Sequence, residues 1–133
     1  MKIVLDTNVL ISGIYFSGPP GTILQAWRSR KFQLAVSIEI LEEYLNVAER
    51  LASRYPGIEY GGILDLIVQN AELVEAPDLP EPVCEDPDDD KFLACALAAR
   101  ANIIVSGDSD LLKASGHEGI QILTPKAYVT NWL

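Results

Sequence analysis

The chain has 133 residues, 49% of them hydrophobic and 22% charged, a globular composition with enough length to bury a core. A net charge of −9 argues against a protein that grips nucleic acid through a broad basic surface, but carboxylates that hold divalent cations are neutralised when loaded, so a metal site stays open. No apolar run approaches the ~18 residues of a membrane span, and MKIVLDTNVLISG has neither the long apolar region nor the cleavage site of a signal peptide.

One domain, residues 1–133, is therefore expected, cytoplasmic and without a membrane partner. Cys84 and Cys95 form no CxxC motif and no disulfide framework, and a bond between them is disfavoured in a reducing cytosol.

KIVLD (Lys2–Asp6) reads as a short buried strand ending in an acid, and TNVLISGIYF as a helix. Gly18-Pro19-Pro20-Gly21 is a loop. TILQAWRSRKF is a helix whose basic end, with Arg28, Arg30 and Lys31, suits a solvated helix C-terminus better than an RNA contact. QLAVS is the second strand. Ser37 then caps IEILEEYLNVAERLASRY, where Ile40, Leu41, Tyr44, Leu45, Val47, Ala48 and Leu51 recur at helical spacing until Pro56-Gly57. Residues 59–70 give another helix and ELVEA a third strand. APDLPEPVCEDPDDD is an acidic, proline-rich loop, and DPDDDKFLACALAAR the next helix. ANIIVSGD is a strand ending in an acid, SDLLKAS a short helix, IQILT the last strand and PKAYVTNWL a terminal helix.

Strands alternate with helices throughout, which predicts an α/β fold with a central parallel sheet covered on both faces. Such sheets place their sites at the carboxyl ends of the strands. Asp6, Thr7 and Asn8 follow the first strand, and Asp108 and Asp110 follow the strand IIVS, which ends in Ser106. Each Asp could simply cap the next helix. Two distant strands ending in Asp alike favour a shared site, where carboxylates stay ionised together only if a cation compensates.

Two helices offer further acids. Glu43 lies at the edge of the apolar stripe beside Ile40 and Val47, with Glu42 nearer the polar face, and periodicity leaves both open. Asp90 shares a face with Leu93, Ala94 and Leu97, while Asp88 and Asp89 are free to act as caps behind Pro87. The lone histidine, His117, sits in the turn-like SGHEG.

The order LDTN, SIEILEEY, DPDDDKFLACALAARANIIVSGDSDLL resembles the PIN-domain nucleases, and most closely the VapC-like single-domain toxins of toxin–antitoxin pairs. The resemblance runs from Met1 to near the C-terminus. It implies a three-layer α/β sandwich and a pocket of acids that binds Mg²⁺ or Mn²⁺ and cleaves RNA. Carried over, the acids are Asp6, Glu43, Asp90 and Asp108, with Asp110 a fifth candidate ligand and Thr7, Asn8 and Ser106 as polar support. It also implies an RNA substrate, a cognate antitoxin and a homodimer. Two other classes compete: a receiver-type phosphoacceptor domain, and an inactive PIN fold that acts only by binding. The receiver reading lacks paired acids after the first strand and offers only Asp78 beyond the third.

Overall fold

The computed structural model describes residues 1–133. Five strands form one parallel sheet: β1 (Lys2–Leu5), β2 (Gln33–Ser37), β3 (Glu72–Val74), β4 (Ile103–Val105) and β5 (Gln121–Leu123), in the order β3-β2-β1-β4-β5. Ile3 is in register with Leu34 on one side and Ile103 on the other, and Leu5 faces Val105. The chain runs outward from β1 to β3, then returns to place β4 on the far side of β1. Strand order thus reverses between β1 and β4, the position at which open parallel sheets leave a crevice beyond their carboxyl ends.

Seven α-helices complete a three-layer α/β sandwich: α1 (Thr7–Tyr15), α2 (Pro19–Arg28), α3 (Ile38–Arg54), α4 (Gly61–Asn70), α5 (Asp90–Ala99), α6 (Ser109–Lys113) and α7 (Pro125–Trp132). Ile3, Val4 and Leu5 of β1 and all of β4 are apolar and buried, as strands covered on both faces must be. Helix α5 lies across β1, β2, β3 and β4. Its Ala94, Cys95, Ala96 and Ala99 are small and buried, which lets the helix backbone come close to the sheet. Both cysteines are buried free thiols. No helix is long and apolar enough to cross a membrane.

Two contacts fix the elements that frame the carboxyl edge. The buried Tyr44 hydroxyl of α3 donates to the carbonyl of Leu5 at 2.5 Å, tying the middle of α3 to the end of β1. Gly13 lets α1 meet α2 closely: a Cβ there would lie 2.7 Å from both the Leu24 side chain and the Pro20 carbonyl.

Two helix starts differ from the sequence reading. Pro19-Pro20-Gly21, expected as loop, is the first turn of α2. Proline's fixed φ and missing N–H are compatible with a first turn, and Gly18 enters it at φ 103°. The run Pro87–Asp89, expected as α-helix, is a 3₁₀ turn that precedes α5.

Candidate active site

Asp6 directly follows β1 and is almost fully buried, at 5% exposure. It occupies the N-cap position of α1 but makes no side-chain cap bond. Its Oδ2 instead accepts a 2.6 Å hydrogen bond from Ser106 Oγ, just past the end of β4. Ser106 Oγ in turn accepts from the Asp108 N–H at 3.0 Å. One fully buried hydroxyl thus joins the two strand ends that the sequence singled out. Asp108 does cap: its Oδ1 accepts from the Asp110 N–H at 3.3 Å and starts α6.

Glu43 comes to the same edge from α3, beside the anchored Tyr44. Thr7 Oγ1 donates to its Oε2. Lys91 Nζ pairs with its Oε1 at 2.6 Å and with Asp88 Oδ1 at 3.1 Å. Both oxygens of Glu43 are therefore engaged. Burial alone lowers the Lys91 pKa, but its bonds to Glu43 and Asp88 outweigh that and raise it, so Lys91 is a fixed positive charge.

Asp6, Thr7, Asn8, Glu43, Val47, Asp89 and Asp108 line one open cavity of about 210 Å³. The acid that enters it from the start of α5 is Asp89, where the sequence reading named Asp90. Asp90 is turned the other way. Its Oδ1 accepts from the Cys84 N–H at 2.8 Å and its Oδ2 from the Val83 N–H at 3.3 Å, so it pins the proline-rich loop. It lines a different cavity, shared with Glu39 and Glu42. The cause is the 3₁₀ turn: Asp86 caps it by accepting from the Asp88 N–H at 3.0 Å, and its tighter winding alters which carboxylate faces the strand ends. Asp110 also lies outside the cavity lining.

The cavity is electrostatically crowded. Burial pushes the Asp6 carboxyl up, and the charges of Glu43 and Asp108 add to this while the Ser106 hydroxyl opposes it. Asp89 is pushed up to about 7, first by burial, then by its hydrogen bond to Asp108 and the charges of Asp108, Asp6 and Asp86. A divalent cation would offset the charge that burial and the neighbouring acids impose here.

Residues 2–110 match the PIN domain family model. The chain belongs to the PIN-domain family. It is 30% identical, over 142 aligned positions covering 97% of this chain and 90% of the relative, to the uncharacterized protein MJ1680 of Methanocaldococcus jannaschii. PIN domains are metal-dependent nucleases, which sets aside the receiver reading. The sheet order agrees, since receivers of the flavodoxin-like type run 2-1-3-4-5.

The donors fit a divalent cation: four hard carboxylates gather at one edge, and burial with neighbouring charge pushes the Asp89 carboxyl up to about 7 for want of a countercharge. As the side chains stand, no three acids form a ready-made cage. Lys91 and Thr7 hold Glu43, and Ser106 holds Asp6. Lys91 was not foreseen as part of the site. Its signal in the sequence is a cation inside an acidic run, two residues after the acid that reaches the cavity.

Proposed function

We propose that this PIN domain is an endoribonuclease that hydrolyses RNA with Mg²⁺ or Mn²⁺ held by Asp6, Glu43, Asp89 and Asp108. The observation that carries this reading is the arrival of four carboxylates at one cavity from four separate places: β1, α3, the turn before α5 and the loop after β4. Bound there, a divalent cation supplies an activated water and stabilises charge on the leaving oxygen.

The chain's own groups prepare that chemistry. Ser106 orients Asp6 and ties it to the Asp108 loop. Thr7 orients Glu43 through one oxygen while Lys91 neutralises it through the other. The Asp89 carboxyl is held up to about 7, so above that pH it is ionised and free to act as a ligand. Asn8 is exposed at the rim and offers an amide to a phosphate oxygen. No histidine takes part: His117 lies in the turn before β5, away from the cavity lining.

The test is cleavage of labelled RNA by purified protein with Mg²⁺ or Mn²⁺. Asp6→Asn and Asp108→Asn are each expected to abolish it, and undiminished cleavage by both variants overturns the assignment. The resemblance to VapC-like toxins supports a place in a toxin–antitoxin pair, with a homodimer as the working assembly. A basic antitoxin segment would complement the acidic cavity. Expression in a bacterial host is expected to arrest growth, and the Asp108→Asn chain is expected not to. Equal growth with both chains rejects the toxin role and leaves the nuclease test standing.

A further inference from the structure

The opposite edge of the sheet carries the reverse charge. A cavity of about 610 Å³ opens beside the amino ends of β1 and β2, where Arg28, Arg30, Lys31, Gln33 and Asn70 contribute to its wall. No acidic residue lines it, in a chain with 19 Asp and Glu against 10 Lys and Arg. None of its three cations is paired: the ion pairs of the molecule are Lys2–Glu72, Lys91–Glu43, Lys91–Asp88 and Lys113–Glu85.

The turn that presents these cations is specific. Helix α2 closes with the Arg30 N–H donating to the Trp27 carbonyl at 2.9 Å and the Lys31 N–H donating to the Ala26 carbonyl at 3.0 Å. This closure puts Arg30 in the left-handed region, at φ 62°. Glycine takes that conformation without strain, yet an arginine stands there.

We propose that this cavity is a phosphate foothold for the RNA strand whose scissile bond lies at the acidic edge. The proposal rests on the RNA reading above. A chain of net charge −9 repels a polyanion, and a foothold of unpaired cations offsets that repulsion. Guanidinium groups suit phosphate oxygens bidentately, and the Gln33 and Asn70 amides add donors. The strands β1 and β2 have four and five residues, so the two edges lie roughly 15 Å apart at about 3.3 Å per residue, within reach of one oligonucleotide.

The experiment measures binding of a labelled single-stranded RNA of about 16 nucleotides to the full chain, by fluorescence anisotropy over a salt series, with a chelator present so that nothing is cut. The Arg28→Ala/Lys31→Ala double variant is expected to bind about tenfold more weakly at low salt, with a salt slope shallower by about one to two. The control is Arg50→Ala/Arg54→Ala, which removes the same charge from exposed positions on α3. Parental affinity in the first variant, or an equal loss in the control, overturns the proposal. Loss of binding confined to the first variant supports it even if no variant cuts RNA, in which case the nuclease reading alone fails.

Discussion

The two edges of the sheet are built by opposite rules. At the carboxyl edge two of the four cavity acids are held by groups from elsewhere in the chain, Asp6 by Ser106 and Glu43 by Thr7 and Lys91. At the amino edge three cations share one short turn and have no ionic partner. Like charges forced together near a buried strand end need satisfying within the fold. Like charges on an exposed turn are satisfied by water. The first arrangement is therefore sensitive to single changes, and the second is tolerant of them in stability and sensitive only in what it binds.

The largest effect is expected from adjacent acids with different neighbours. Asp89→Asn should lower RNA hydrolysis on the order of 100-fold or more, the scale on which one group that stabilises developing charge counts. Asp90→Ala should leave hydrolysis within a few-fold of the parent. It should cost about 1–3 kcal/mol of stability, because the Val83 and Cys84 N–H groups lose their acceptor. Activity assays and denaturant unfolding on both variants decide the matter. Loss of activity in folded Asp90→Ala with activity kept in Asp89→Asn would reverse the assignment.

That pair of acids also marks how far the sequence could be read. The alternation of strands and helices is legible because each strand is a short apolar run bounded by an acid or a turn; the strand order is not, since the same alternation is compatible with several orders. Asp6 and Asp108 are legible because both directly follow strand ends. Glu43 is not separated from Glu42 by periodicity, since both lie near the edge of the apolar stripe; the family resemblance is what chooses it. The choice among Asp88, Asp89 and Asp90 is not legible, because periodicity assumes a uniform helix and the 3₁₀ turn breaks it. A signal was present: Asp86-Pro87-Asp88 and Asp108-Ser109-Asp110 make the same turn, each first Asp accepting from the N–H two residues on. Read that way, Asp86 is the cap and the winding starts at Pro87. The left-handed arginines at the amino edge have no sequence signal, since such positions usually carry Gly or Asn.

Removing the cation that pairs with Glu43 sharpens the contrast further. Lys91→Met leaves Glu43 and Asp88 without their countercharge. The metal-free protein should lose about 1–2 kcal/mol, and added Mg²⁺ or Mn²⁺ should restore more stability to the variant than to the parent. Thermal melts with and without the cation test this. An equal gain in both proteins would mean that Lys91 does not stand in for a cation at Glu43.

Another effect comes from pH. Asp89 holds its proton up to about 7 in the fold, whereas a free carboxyl releases it near 3.8. Between those values the native state binds more protons than the unfolded one, so metal-free stability should fall as pH rises through that window and level off above about 7. Asp89→Asn should flatten this dependence in denaturant titrations. A parent whose stability rises across the same range would show that the acids at this edge do not crowd one another.

The smallest effect belongs to the amino edge. Arg30→Gly relieves a left-handed φ of 62° at the closure of α2 while keeping both closing hydrogen bonds, which are backbone to backbone. The relief is offset in part by the freer unfolded chain that glycine brings, leaving a net gain of roughly 0.5 kcal/mol. Arg100 closes α5 in the same way, at φ 58°, with the Ala101 N–H donating to the Ala96 carbonyl at 2.8 Å. It lines neither the acidic cavity nor the basic one. Arg100→Gly should therefore give a similar small gain in stability with no change in RNA affinity, whereas Arg30→Gly should gain stability and bind RNA more weakly. Denaturant midpoints and RNA titrations on the two variants separate a charge that only closes a helix from one that also holds a phosphate.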